Sequence, residues 1–317
     1  MRNANKYQAL FRLVLFLIPL LLASFYLNRC YMKNQLAIDP PLTRGINILI
    51  LGDSHAAFAL DPGFIDRAFN FSSYGESYIH NYYKLKYALR HAPGIQVVIL
   101  PIDLHSFSDF RKDRIHFTPD WYRYLNYVEL GWRKKRLVSY LLNDLKLGLF
   151  EFRGNTSFLT PSILKKKNPP PSRQPSYGFT PQTGFFFQNQ NKKARNRAYR
   201  QLKGFNTFSG EMEFYFRKIL DLCETHHLQV ILLKLPVSRA YFDVASRLIN
   251  VDRYYGKIFA LTRHYKNIHT FDFQKLYFGN QSGLFWDPQH LNSTGSRDIS
   301  TIVGKRIKNL NLVRSRD

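Results

Sequence analysis

Three short, nearly uninterrupted apolar runs, INILILG (46–52), IQVVILPI (95–102) and QVILLKLP (229–236), constrain this chain more than anything else in it. Each is of strand length, and none alternates polar with apolar as a strand with one wet face would. They read as strands buried on both faces, the condition of a parallel sheet. Two weaker segments, FNFSS (69–73) and IHTFDF (268–273), bring the set to five. Between them lies helical spacing. In SYIHNYYKLKYALRHA (77–92) the apolar positions Ile79, Tyr82, Tyr83, Leu85 and Leu89 recur at helical intervals, and EMEFYFRKILDLCETHHL (211–228) and VDRYYGKIFALTRHY (251–265) behave alike. Strands alternating with helices predict an α/β fold, a three-layer sandwich around a five-stranded parallel sheet, with any active site at the carboxyl ends of the strands.

The segment from Ser106 to Gly210 breaks that rhythm. It holds an aromatic part, DWYRYLNYVELGW (120–132), a Pro-rich basic part, LKKKNPPPSRQPSYGFTPQTG (164–184), and a second basic run, NKKARNRAYRQLKG (191–204). A stretch of this length without β-α alternation reads as an insertion over about 106–210, part helical and part loop, within an α/β domain spanning 45–317. Residues 1–44 read as an N-terminal membrane anchor and linker. LVLFLIPLLLASFYL (13–27) carries no charge and, with Ala9 to Phe11 added and Arg12 snorkelling, approaches the length of a membrane span. Arg2, Lys6 and Arg12 precede it, while no small-x-small cleavage site and no lipobox before Cys30 follow. A retained single-pass anchor in the lipid bilayer, with an extracytoplasmic domain, is expected over a cleaved signal, although Arg29 and Lys33 weaken the charge contrast that sets orientation.

The 46 Lys and Arg against 22 Asp and Glu leave a formal charge of +24, which attracts anionic polymers, lipid headgroups or nucleic acid. No helix-turn-helix, zinc-finger or RNP pattern appears, so nucleic acid is not an expected partner. Cys30 and Cys223 are too few for a disulfide framework or a cysteine-ligated zinc site. No phosphate loop, paired-histidine metal motif or cofactor fingerprint is visible, and neither metal nor cofactor is expected.

The first apolar run ends on Gly52-Asp53-Ser54-His55. A hydroxyl just past a buried strand, after a glycine that permits a tight turn, stands where this architecture exposes side chains to a ligand. The competing reading makes Asp53 or Ser54 the cap of a helix, and the tetrapeptide does not separate the two. A serine nucleophile needs a base, and the base needs an orienting group. GLFWDPQHLNSTGSRDIS (283–300) supplies Asp287 and His290 three residues apart in a turn-rich loop after the fifth strand. His226 and His227 fall in a helix, and His55, His105 and His116 read first as structural and second as site-lining.

LGDSHAAFALDP, NFSSYGES and DPQHLN, in this order, resemble the first, second and fifth blocks of the SGNH (GDSL-like) hydrolase superfamily. With the N-terminal anchor they are similar to its membrane-anchored branch, which includes D-alanyl transfer and polysaccharide O-acetylation proteins. The resemblance covers roughly 46–104 and 229 onward and leaves the insertion unexplained. It implies Ser54 as nucleophile, His290 as general base and Asp287 as its orienting acid, with the backbone N–H groups of Ser54 and Gly75 donating to the oxyanion. Asn70 keeps the family's five-residue interval to Gly75 and, with Asp53, His55, Asp103 and His105, is a candidate lining residue. The third block departs from the family. Where an asparagine ordinarily completes the oxyanion hole, the chain reads LPIDLHSFSD, and the loss of one such donor costs on the order of a hundredfold in rate.

The resemblance thus implies a serine-dependent acyl-ester hydrolase or O-acyltransferase acting on a cell-surface or extracytoplasmic polysaccharide, anionic or neutral, with a multi-pass membrane protein as candidate acyl donor. The basic clusters near 165–167 and 192–200 fit an anionic glycan or lipid headgroups as well as they fit a solvated face. The alternative is a catalytically inactive, membrane-anchored binding or assembly component that keeps the fold and has lost the third block.

Overall fold

The computed structural model describes residues 45–111, 178–184, 190–204, 206–279 and 283–313, residue 42, and residues 7–8, 11–13, 15–20 and 22–23 of an N-terminal helix. The chain divides into two compact units, one comprising Pro40–Tyr124 and Ser176–Asp317, the other Met1–Asp39 and Leu125–Pro175.

The larger unit is α/β. Its strands are β1 (Ile48–Ile50), β2 (Ala68–Asn70), β3 (Val97–Pro101), β4 (Gln229–Lys234) and β5 (Ile268–Asp272). All pairs are parallel, in the order β2-β1-β3-β4-β5, with Ile48 level with Ala68 on one side and Val97 on the other. The helices are α1 (Ser54–Ala59), α2 (Tyr78–His91), α3 (Gln190–Leu202), α4 (Gly210–Thr225), α5 (Arg239–Leu248), α6 (Val251–Thr262) and α7 (Ser293–Asn309). One face of the sheet, Ile48, Ile50, Val97, Ile99, Ile231 and Leu233, packs with Ala56, Ala59, Ile299, Val303 and Ile307 of α1 and α7. The alternate residues Leu49, Val98, Leu100, Val230 and Leu232 are equally buried, so every central strand is apolar on both sides, as the uninterrupted runs require.

Strand order positions the site. The chain leaves β1 toward β2 on one side and returns to β3 on the other, so the topology switches between β1 and β3, and beyond the carboxyl ends at such a switch sheets of this kind place their ligand sites. Gly52–His55 follow β1 and Ile102–His105 follow β3, which makes the first and third sequence blocks neighbours.

Parts of the segment read as an insertion belong to this same unit. Residues 178–182 run as a strap over the site's edge: the Gly178 N–H donates to the Ser72 carbonyl (3.2 Å), the Thr180 N–H to Ala57 (2.9 Å), and the Ser293 N–H to Gln182 (2.8 Å). Helix α3 packs on α5, burying Ala194, Ala198 and Leu202. Residues 112–177, with His116 and the aromatic and Lys-rich runs, lie outside the described residues. The expected anchor lies partly outside them too. Its described part is helical and exposes Phe11, Leu13, Leu15, Phe16, Leu17, Ile18, Leu20 and Leu22. Among the described residues, no helix is long and apolar enough to cross a membrane.

Candidate active site

The turn after β1 is tight enough to need glycine. Gly52 has φ +138°, and a Cβ there would lie 2.8 Å from the Ala56 Cβ and 3.0 Å from the Pro101 ring. Its N–H donates to Asn81 Oδ1 (3.2 Å). Asp53 then caps α1, its Oδ1 accepting the His55 N–H at 2.8 Å. The capping and nucleophile readings of the tetrapeptide are therefore compatible, because they fall on adjacent residues: Asp53 is turned to the backbone, and the half-buried Ser54 faces His290.

Ser54 Oγ lies 2.9 Å from His290 Nε2, and His290 Nδ1 lies 2.8 Å from Asp287 Oδ2. An ionised carboxylate only accepts, so Nδ1 carries the proton and Nε2 is left to accept from the serine hydroxyl. Asp287 Oδ1 accepts the N–H groups of Gln289 (2.8 Å) and His290 (3.0 Å), an Asx-type turn that places the imidazole three residues on. Burial pushes the Asp287 carboxyl upward, but the His290 hydrogen bond and charge, the Arg197 guanidinium and the Gln289 amide outweigh it and hold this acid well below the usual carboxylate range. Burial is also the main influence on His290 and disfavours its cation. Asp287 opposes this, His55 and Arg197 reinforce it, and the imidazole is held below its ordinary value, neutral at pH 7 as a general base must be.

Beneath Ser54 lie two more His–Asp pairs, crossed between the first and third blocks. His105 Nε2 is 2.9 Å from Asp53 Oδ2, and His55 Nδ1 is 3.1 Å from Asp103 Oδ2. All four residues are buried. The His55 ring stands 4.5 Å from that of His105 and 5.0 Å, edge-on, from that of His290. Asp103 Oδ1 also accepts the Leu235 N–H (3.1 Å), tying the end of β3 to the end of β4. The residues after β3 thus lace the turn that carries Ser54 to the neighbouring strands. Although three histidines and three aspartates gather here, they face one another in pairs, and among the described residues no set of three or more His, Cys, Asp or Glu is arranged to hold a metal ion.

The second block divides. Asn70 is spent on structure and is not a lining residue: its amide donates to the carbonyls of Ala56 (3.1 Å) and Leu60 (2.7 Å), and its oxygen accepts from the amide and hydroxyl of Ser72. It fastens β2 to the end of α1. Gly75 has φ +73°, and a Cβ there would meet nothing within 4 Å, so its peptide stands at an open edge. Next to it Glu76 is buried and paired with Lys84 of α2 at 2.5 Å, while Lys84 Nζ also donates to the Phe71 carbonyl (2.7 Å). The rim is aromatic. The Phe58 ring lies 4.6 Å from that of His290, 5.0 Å from Tyr74 and 5.6 Å from Trp286, and Tyr74 and Trp286 are both exposed.

Sequence reasoning missed Arg197, Glu76 and Lys84. Arg197 is one cation in a basic run 90 residues from its partner Asp287. Lys84 carried a faint signal, as a charged residue on the face of α2 that buries Tyr83 and Leu85.

No family model and no curated protein matches the chain. Nine solved chains match it. One, described as "the structure of a putative platelet activating factor from Streptococcus pneumonia", is 11% identical, covers 94% of this chain and 97% of its own, and superposes with a TM-score of 0.39.

Proposed function

We propose that the protein is a serine-dependent acyl-ester enzyme. The observation that carries this reading is the continuous line from Ser54 Oγ through His290 to Asp287, with hydrogen-bond distances of 2.9 and 2.8 Å. His290 Nε2 takes the hydroxyl proton as Ser54 Oγ adds to the ester carbonyl, and the Ser54 and Gly75 N–H groups are the donors available to the resulting oxyanion. Collapse expels the alcohol, which takes the proton from His290 and leaves an acyl-Ser54. A second hydroxyl, from water or a sugar, gives its proton to His290 as it attacks the acyl carbon, and on collapse His290 returns that proton to the departing Ser54 Oγ. Water as acceptor makes the protein a hydrolase, and a glycan hydroxyl makes it an O-acyltransferase. The cell-surface polysaccharide reading is supported by the three resembling blocks, the exposed apolar helix at the N-terminus and the net charge of +24.

A fluorophosphonate probe and a small acetyl ester test the chemistry on the full chain. Wild type is expected to label and turn over, and Ser54→Ala and His290→Ala to lose at least about a thousandfold of the rate. Labelling that persists in both variants overturns the reading. The second reading, an inactive scaffold, is favoured by the engagement of Asp103 and His105 with His55 and Asp53. It predicts that wild type itself neither labels nor turns over.

A further inference from the structure

The geometry points to Arg197 as a positioning residue for the Asp287–His290 pair, a cation delivered by α3 that fixes the carboxylate and keeps the imidazole from becoming too basic. Its role presupposes the acyl-ester chemistry proposed for Ser54.

Arg197 Nη2 lies 2.8 Å from Asp287 Oδ2, the same oxygen that accepts from His290 Nδ1. With the Gln289 and His290 amides on Oδ1, the carboxylate accepts four hydrogen bonds and has no freedom to rotate. One turn along α3, Gln201 accepts through Oε1 from the Gln289 side chain (2.8 Å) and from the Tyr241 hydroxyl of α5 (3.0 Å). Between these two points the Pro288 carbonyl accepts the Ser238 N–H at the start of α5 (3.0 Å). Residues 287, 288 and 289 are thus each held by the α3–α5 pair, and the loop that presents His290 is clamped. Spacing explains the division of labour: positions 197 and 201 lie on one face of a helix.

The clamp has an electrostatic side. A guanidinium beside Asp287 draws on the carboxylate charge that would otherwise stabilise an imidazolium at His290. The other charged or titratable groups facing His290 are Asp287 on its own loop and His55 from α1, itself beside Asp103 after β3. Phe58 and Trp286 add rings without charge. Arg197 is partly exposed, with 28% of its side-chain surface accessible, so its effect is a tuning of the pair.

Removing the cation makes His290 more basic, so a higher pH is needed to hold it neutral. In Arg197→Met the acid limb of kcat/KM for p-nitrophenyl acetate is expected to move to higher pH by about one unit or a large part of one. Arg197→Lys, which keeps the charge and loses the fork, is expected to bring most of that shift back. Gln201→Leu breaks the uncharged tooth of the clamp, and is expected to lower the thermal midpoint while leaving the acid limb in place. An Arg197→Met or Arg197→Gln protein that folds, by circular dichroism and thermal melting, with the wild-type limb overturns the inference. So does a Lys variant shifted as far as the Met variant. NMR titration of His290 reads the same displacement without turnover. If Ser54→Ala retains activity, the acyl-ester reading fails, while that titration still decides whether Arg197 tunes His290.

Discussion

Ser54 shares its turn with two neighbours that do different work. Asp53 and His55 are buried and face His105 and Asp103, so Ser54 stands on a laced floor. His105→Leu leaves the Asp53 carboxylate without that partner, and a stability loss of about 3 kcal/mol or more is expected in urea unfolding. A near-wild-type midpoint would show that the lacing is dispensable. The pH behaviour follows from His290 and Asp287, both held below their ordinary values. Activity is expected to persist into mildly acidic solution, its acid limb lying below the ordinary imidazole value of about 6.5. Stability has the same sign. Below about 6.5 the unfolded chain binds a proton at His290 before the folded one does, and below about 3.9 it does so at Asp287, so acid destabilises in two stages. Urea midpoints that rise between pH 7 and 5 would contradict this. Ser54, Asp287 and His290 were legible in the sequence because each sits in a short motif whose chemistry is local. Arg197 and the crossed His–Asp pairs were not, since a partner brought from another element by folding leaves no mark on nearby spacing.

The elements themselves were legible wherever burial is uniform. β1, β3 and β4 are buried on both faces and announced themselves as apolar runs, whereas β2 and β5 are at the sheet edges and read weakly. α5 gave little signal: it presents only Tyr241 and Ala245 to the interior. The turn between β2 and α2 shows what a charged residue inside a helix face can mean. Glu76 and Lys84 form a buried pair that anchors the turn carrying Gly75, the proposed second oxyanion donor. Lys84→Met takes from the buried Glu76 carboxylate its ion-pair cation, with an expected cost of about 3 kcal/mol. The double variant Lys84→Met, Glu76→Gln is expected to recover most of the loss in thermal melting. If the double variant is no more stable than the single one, the cost lies in packing of the lysine stem and the ion pair is incidental.

At the scale of the molecule, an N-terminal helix with exposed leucines and phenylalanines calls for an apolar environment. The full chain is expected to stay with the membrane fraction through alkaline extraction, and a reporter fused to its C-terminus to be active outside the cytoplasm. Release into the supernatant, or a cytoplasmic reporter, would remove the anchored reading. The return arm of the insertion, 178–184 and α3, belongs to the α/β unit, because its apolar alanines and backbone hydrogen bonds are satisfied there. Composition marks the arm as basic and loop-like, and says nothing of where its partners lie. Ser54 meets His290 across a sequence separation of 236 residues. While the chain is being made, its hydroxyl has no imidazole to activate it until the last strand and the loop beyond have emerged and docked. If the proposed chemistry holds, a protein threaded through a channel from its amino end would travel chemically inert and become reactive only at its destination.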